Sequence, residues 1–452
     1  MRFLQGKFAS IQLTSDFLKR DLPCSRKWSV MTNITRRNAL KTIAAYASIQ
    51  IVPGHVLGLR GQTAPSNQLT RGIIGCGGIS SSHLGMQGKL LALCDVDKNH
   101  LGQRMKQAKA EENGIKGYED FREMLTRKDI DIIHVATPPH WHALMAIEAA
   151  KAGKDVWCEK PMSRTIGEGM AMVKAVEKQN RVFRLNTWFR FKDNFYGMGV
   201  PVKQLKKATM NDLLGWPLKV TVSGVTGFDW KFFWVGKTHL PTQPVPPALN
   251  YDMWLGPAPM KPYNAHRTHQ TFRGYWDYDG GGLGDMGQHY LDPVQYILGK
   301  DDQAPISVEI DADPQDGDAI GTWRRIEFTY ADGCKVILDG QNKDKEAAYI
   351  EGPKGKIFKN FRSDIPDLDK KLAALPDPPE QIVDFHESVR TRKKFALNEQ
   401  NGFWSCTMVN MGVMAHRLNK NLKFDSKTLK FDLPEANELI HQPMRGPWKI
   451  DV

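Results

Sequence analysis

Three groups of residues in this chain have the types and spacing to do chemistry. The first is Glu159-Lys160-Pro161, an acid, an ammonium and a turn-setting proline that close an apolar run over 155–158. The second follows the glycine run Gly280-Gly281-Gly282: Asp285 and His289 are four residues apart, with Asp292 three further on. On a helix that spacing puts acid and imidazole on one face. A lysine in its neutral amine form, or an imidazole, can take a proton from a hydroxyl, and an ammonium can steady the charge that develops on its oxygen. The third is Gly75-Cys76-Gly77-Gly78-Ile79-Ser80, with Asp95 twenty residues after Gly75. Gly75 allows a tight turn, Gly77 lets the backbone approach a pyrophosphate, and the small Ser80 allows close helix–strand packing. An acid at the end of the next strand accepts hydrogen bonds from an adenosine ribose and repels a 2′-phosphate, which favours NAD over NADP. Taken alone, Lys160 is equally a surface lysine before a proline turn, and the Asp285/His289 pair equally a structural contact.

The elements that must position these groups follow from periodicity. Apolar runs at 71–74, 90–94, 130–136, 155–158 and 182–185 alternate with helical patterns at 98–112, 118–127, 142–152 and 166–179. Strand–helix alternation of this kind predicts a parallel sheet. Thr137-Pro138-Pro139-His140-Trp141-His142 marks a strand-to-helix junction, where early helical N–H groups need no partner and proline is tolerated. Thr137, Pro138 and Lys160 therefore belong at the carboxyl ends of strands, where such sheets gather ligands. Beyond residue 190 the chain is rich in Trp, Tyr, Gly and Pro. Strands are expected near 220–225, 306–310, 323–330 and 334–339, with a hairpin turn at Asp332-Gly333. Helices are expected at 280–298, 380–391 and 399–418. Residues 369–371 read as a solvated loop, and everything after 420 as a short surface tail.

Composition narrows the function classes. The chain has 452 residues, enough for two or three domains, and a formal charge of +12. It has no Lys/Arg block interleaved with aromatics, so no nucleic-acid partner is expected. Six scattered cysteines without a CxxC pair imply buried free thiols, not a disulfide scaffold. His134, His140 and His142 lack a well-spaced carboxylate or thiolate to complete a tetrahedron, so no metal is expected. There is no serine-hydrolase elbow. Residues 1–69 read as leader, export signal and linker. Arg36-Arg37 precede a mildly apolar run over 39–52 that is too short for a membrane span. This resembles a twin-arginine signal and implies a periplasmic protein, the alternative being a cytoplasmic protein with an amphipathic leader.

Gly75-x-Gly77, Asp95, Thr137-Pro138 with His142, Glu159-Lys160-Pro161 and the run from Gly280-Gly281 through Asp285 and Gly287 to His289 together resemble the Gfo/Idh/MocA oxidoreductases, over roughly residues 70–420. The resemblance implies an α/β fold. An N-terminal Rossmann NAD(P)-binding domain would span 70–190. A C-terminal α/β domain with a large, open, mostly antiparallel sheet would span 191–420, leaving a tail at 421–452. It implies hydride transfer at a ring carbinol of a sugar or glycoside, with Lys160, Asp285 and His289 catalytic and NAD tightly bound. Cofactor contacts would come from Gly75, Gly77, Gly78, Ile79, Ser80, Asp95, Thr137, Pro138, His142, Glu159, Lys160 and Arg190. Arg190 reads equally as a salt bridge between domains, and His83 joins His142 on the pyrophosphate and nicotinamide side. Trp188, Trp230 and Trp276 are candidates for stacking on sugar faces. A homo-oligomer, dimer or tetramer, is expected. Two other readings stand beside the dehydrogenase: NAD-assisted glycoside cleavage through a transient 3-keto sugar, and a non-catalytic sugar- or nucleotide-binding protein.

Overall fold

The computed structural model describes residues 68–187 and 189–452; Arg36-Arg37 with the expected export signal, Cys24 and Trp188 lie outside the described residues. The alternating apolar runs form β1 (Thr70–Ile74), β2 (Lys89–Cys94), β3 (Lys116–Tyr118), β4 (Ile132–Val135), β5 (Asp155–Glu159) and β6 (Phe183–Asn186). All pair in parallel, in the order β3-β2-β1-β4-β5-β6. Among the helices between them are α1 (Ser80–Leu84), α2 (Lys98–Gln107), α3 (His142–Lys151) and α4 (Ile166–Lys178), with short helices at Ala110–Asn113 and Phe121–Leu125. α4 begins with a capping box, in which Thr165 and Glu168 satisfy each other's backbone N–H groups. The strand order reverses at β1 and β4, so a crevice opens beyond their carboxyl ends, between Gly75 and Thr137. β3 is not among the expected strands, and only its last residue, Tyr118, falls in a stretch expected to start a helix. Three residues at a sheet edge are too few to display an alternation.

The second sheet contains β7 (Lys219–Ser223), β8 (Ser307–Ala312), β9 (Trp323–Thr329), β10 (Lys335–Asp339), β11 (Ile350–Gly352), β12 (Gly355–Ile357), β13 (Leu422–Asp425) and β14 (Lys430–Phe431). Its order is β12-β11-β7-β10-β9-β8-β13-β14, antiparallel except for the β7–β10 pair. The expected hairpin at Asp332-Gly333 joins β9 to β10. Three helices matter to the site: α5 (Val202–Met210), α6 (Gly281–Leu298) and α7 (Glu399–Leu418). α6 packs against α5 and α7 and is buried along nearly its whole length. Its glycine run serves close packing: a Cβ at Gly282 would stand 2.0 Å from the Trp230 carbonyl oxygen.

Two expectations are corrected here. Residues 369–371 lie in a short helix, Leu368–Ala373. The chain beyond 420 is not a surface tail: β13 extends the second sheet beside β8, and Leu422, Phe424, Phe431, Ala436 and Ile440 are buried. Arg445 then pairs with Asp252 of the second domain at 2.6 Å, and Trp448 meets the Trp141 ring, beside the first sheet, edge-on at 4.8 Å. Apolar residues scattered among prolines in two- to five-residue elements carry no periodic signal. The five described cysteines are buried and free. Among the described residues no helix is long and apolar enough to cross a membrane.

Candidate active site

The glycine turn and the strand ends line a cleft of about 670 Å³. That lies inside the range of roughly 300–1,000 Å³ usual for ligand sites. One wall is Gly75, Gly77, Gly78, Ile79, Asp95, Thr137 and Pro138, as the sequence implied. Gly75 has φ +94°, and a Cβ there would stand 2.5 Å from the Ala136 carbonyl oxygen. At Gly77 and Gly78 an added Cβ would meet nothing within 4 Å, so this backbone stands open to the cleft. The turn is held from behind. Ser80 Oγ donates to the Gly77 carbonyl at 2.6 Å, and the Arg104 guanidinium donates to the same carbonyl at 2.8 Å. Asp95 accepts the backbone N–H groups of Cys76 at 2.6 Å and Asp97 at 2.8 Å. Burial pushes its carboxyl upward, and the backbone donors oppose that shift. Open glycine backbone plus a strand-end carboxylate is the donor set a dinucleotide requires, so these residues fit NAD. We expect Gly75→Ala to bind NAD at least about tenfold more weakly in a fluorescence titration, because a left-handed L-residue alone costs roughly 1–2 kcal/mol and the turn must also open.

The other wall comes from the second domain: Trp234, Met253, Trp254 and the segment from Ala265 to Arg273. It is tied to the first domain by backbone bonds from Lys98 N–H to Ala248 and from Asn250 N–H to Val96, at 2.9 and 3.0 Å. Arg273 leads from the cleft to the catalytic candidates. Its Nε donates to Asp285 Oδ1 at 2.7 Å. Lys160 Nζ donates to the same oxygen at 3.0 Å and to the Asp285 backbone carbonyl at 2.5 Å. Burial works to raise the Asp285 carboxyl, but the Lys160 and Arg273 charges hold it far below the ordinary range. Nearby Asp279 is pushed up to about 7 by burial and by the Asp285 charge. The ionised members of this cluster therefore sum to a net positive charge below that pH. His289, one turn along α6, is held well below its ordinary pKa by burial and then by Lys160, so its imidazole is neutral.

Gln288 registers these parts, and sequence reasoning missed it. Its Oε1 accepts from the Met162 N–H at 2.7 Å, two residues past Lys160. Its Nε2 donates to Gly402 O and Ser405 Oγ on α7, at 2.8 and 3.0 Å. The side chain is fully buried. Arg104, Arg273 and Trp234 were also missed. Nothing local marks them, because loops and a helix face place them.

Several implied contacts are corrected. Glu159 does not stand in the cleft wall: its Oε1 is taken by His83 at 2.7 Å and Asn186 at 2.6 Å beneath the strand end. Burial alone would raise this carboxyl, and those partners hold it low. His83 is accordingly buried between Glu159 and His134. His142 is buried between the Thr137 and Pro161 carbonyls, 2.7 Å from each, and its neutral ring donates to one of them. Arg190 is the domain salt bridge, not a cofactor contact. Its guanidinium engages both oxygens of Asp292 at 2.7 and 2.9 Å, and Asp301 at 2.8 Å. Trp230 packs on Tyr290 and Trp323, and Trp276 donates to the Asp316 carbonyl, so both are core residues. For Glu159, His83, His142, Arg190 and Trp276 burial turns a polar group toward a protein partner, since an unpaired buried polar atom is costly.

Residues 69–187 match the model of an oxidoreductase family's NAD-binding Rossmann fold, and residues 198–450 match the same family's C-terminal alpha/beta domain. A glycosyl hydrolase family 109 protein of Shewanella baltica is 33% identical over 178 residues, 33% of this chain and 39% of that protein. A levoglucosan dehydrogenase of Pseudarthrobacter phenanthrenivorans is 48% identical over 63 residues, 14% of this chain and 16% of the relative. The chain thus spans well under half the length of these curated relatives. Among solved structures, the WlbA dehydrogenase from Bordetella pertussis, in complex with NADH and UDP-GlcNAcA, superposes with a TM-score of 0.53 at 20% identity. That match covers 79% of this chain and 99% of the other, and shows a shared fold.

Proposed function

We propose that this chain, which belongs to the Gfo/Idh/MocA oxidoreductase family, is an NAD-dependent oxidoreductase acting on a ring carbinol of a sugar or glycoside. The observation that carries the reading is the Lys160–Asp285–Arg273 cluster bordering a cleft whose other wall is the glycine turn and Asp95. Bound in that cleft against Gly77, Gly78 and Asp95, NAD supplies the hydride acceptor. The protein's task is then to take the hydroxyl proton and steady the oxygen left behind. Asp285 accepts two hydrogen bonds from Lys160, and an ammonium has three donors, so one remains for the substrate oxygen. Neutral His289 is the group fitted to receive the proton. Neighbouring titratable groups pushed in different directions divide the charge-stabilising and basic roles. Asp285 is the positioning residue for Lys160 and Arg273.

The test is single-turnover reduction of NAD, followed at the nicotinamide absorbance, against a panel of free sugars and glycosides. No reduction with any member would overturn the reading in favour of a binding protein. With His289 neutral as the base, the rate should stay level as pH falls through 6.5, the ordinary histidine value, and drop only in more acid solution. A half-loss centred on that value would mean that the His289 imidazole is not held low, and the rate of His289→Ala would then decide its role. NAD-assisted glycoside cleavage is the second reading, favoured by the likeness to a glycosyl hydrolase family 109 protein. A released aglycone without net oxidation would select it, whereas a keto sugar selects the dehydrogenase.

The same reading extends to the whole protein. Arg36-Arg37 and the apolar run that follows support export, and the broad second sheet supports a homodimer or tetramer. Cell fractionation with all the protein in the cytoplasm would refute the first. Light scattering that gives a monomer at every concentration would refute the second.

A further inference from the structure

We propose that Asp97, His100 and His269 form a binding site for a divalent transition-metal ion of the zinc class, which clasps the two walls of the cleft at its Asp95 end. Asp97 ends the β2–α2 connection, His100 lies in the first turn of α2, and His269 comes from the second domain's wall. Their nearest ligand atoms all lie within 4.8 Å of one another. Asp97 Oδ2 and His269 Nε2 are 3.4 Å apart. With metal–ligand bonds of roughly 2.0–2.2 Å, neighbouring ligands of a tetrahedral zinc ion stand about 3.3–3.5 Å apart. One pair therefore already has ligand spacing, and a small swing of the His100 ring completes the set. The two imidazoles meet edge to face, with centroids 4.5 Å apart.

The carboxylate is oriented for this task. Asp97 Oδ1 accepts from the backbone N–H groups of Asn99 at 2.8 Å and His100 at 3.4 Å, which fixes the side chain and leaves Oδ2 toward His269. Carboxylates that hold metals are anchored in this way. Two imidazoles and one carboxylate suit zinc, cobalt, nickel or iron rather than calcium or magnesium. His100 and His269 both border the cleft, so the coordination position they leave opens on bound ligand or water. The three residues are invisible as a motif because 172 positions separate Asp97 from His269. The proposal rests on the cleft's geometry and stands whether or not the reaction is the one assigned above.

The experiment uses tag-free full-length protein, stripped with chelator and titrated with Co²⁺ and then Zn²⁺. One Co²⁺ per chain should bind at micromolar concentration, with the visible absorption of a four- or five-coordinate ion that Zn²⁺ displaces. His269→Ala and Asp97→Asn should each weaken binding about a hundredfold. Asp97→Asn keeps a side-chain oxygen for the helix cap, so it separates ligation from folding. Zn²⁺ should raise the melting temperature of the parent and not of either variant. Less than one equivalent of Co²⁺ taken up by the parent, or an unchanged spectrum in His269→Ala, overturns the proposal. The three residues would then be an ordinary histidine–carboxylate contact across the cleft.

Discussion

Lys160→Ala is expected to keep NAD bound and to slow its reduction by about 10²–10⁴-fold, the contribution of one positioned proton-transfer or charge-stabilising group. The cleft wall assigned to the cofactor holds Gly75, Gly77, Gly78, Ile79, Asp95, Thr137 and Pro138 and not Lys160, which the resemblance also implied as a cofactor contact, so the substitution leaves that wall intact. It removes the donor nearest Asp285 while Arg273 keeps its 2.7 Å bond to that carboxylate, so the buried charge retains a partner and the fold should survive. The loss should therefore fall on the chemical step, with little change in NAD affinity. His289→Ala should also impair turnover, with a larger share as weaker sugar binding. Single-turnover reduction of bound NAD with the true substrate decides the matter. If Lys160→Ala runs at the parent rate, the lysine is a structural cation between the domains and His289 becomes the leading catalytic group.

Arg190→Met should destabilise the protein by about 3–5 kcal/mol at neutral pH, the usual penalty for leaving one member of a buried ion pair alone. Asp292 is fully buried, and without Arg190 the Thr187 hydroxyl at 3.4 Å is left to hold its carboxylate. Burial already raises its carboxyl against the pull of Arg190, and losing the guanidinium must raise it further. A carboxyl whose folded pKa stands above its unfolded one favours folding below the unfolded value and loses that contribution as pH rises through the folded value. The deficit of the variant should accordingly shrink as pH falls below neutrality, before general acid unfolding. Urea denaturation of parent and variant at several pH values measures it. Arg190→Met combined with Asp292→Leu should recover much of the loss, since an apolar replacement leaves no charge to desolvate. A single variant as stable as the parent at neutral pH would mean that the pair contributes nothing.

Local chemistry determined a great deal of this protein. Apolar runs closed by Gly75, Asp95, Thr137-Pro138 and Glu159-Lys160 specify parallel strands whose ends meet at one crevice, because period and punctuation are properties of neighbouring residues. The i, i+4 placement of Asp285 and His289 on α6 is legible for the same reason. Tertiary structure alone decided which partner each polar side chain takes. Glu159, His142 and Arg190 carry the residue types of a cofactor site, yet each is buried against a partner within the protein. Lys160 meets Asp285 from 125 positions away, and Arg273, Gln288 and His269 reach the site through packing that no spacing announces. The desolvation of a buried charge has to be met by whatever counter-charge or dipole the packing brings within reach, and that is a property of the assembled fold, not of any stretch of chain.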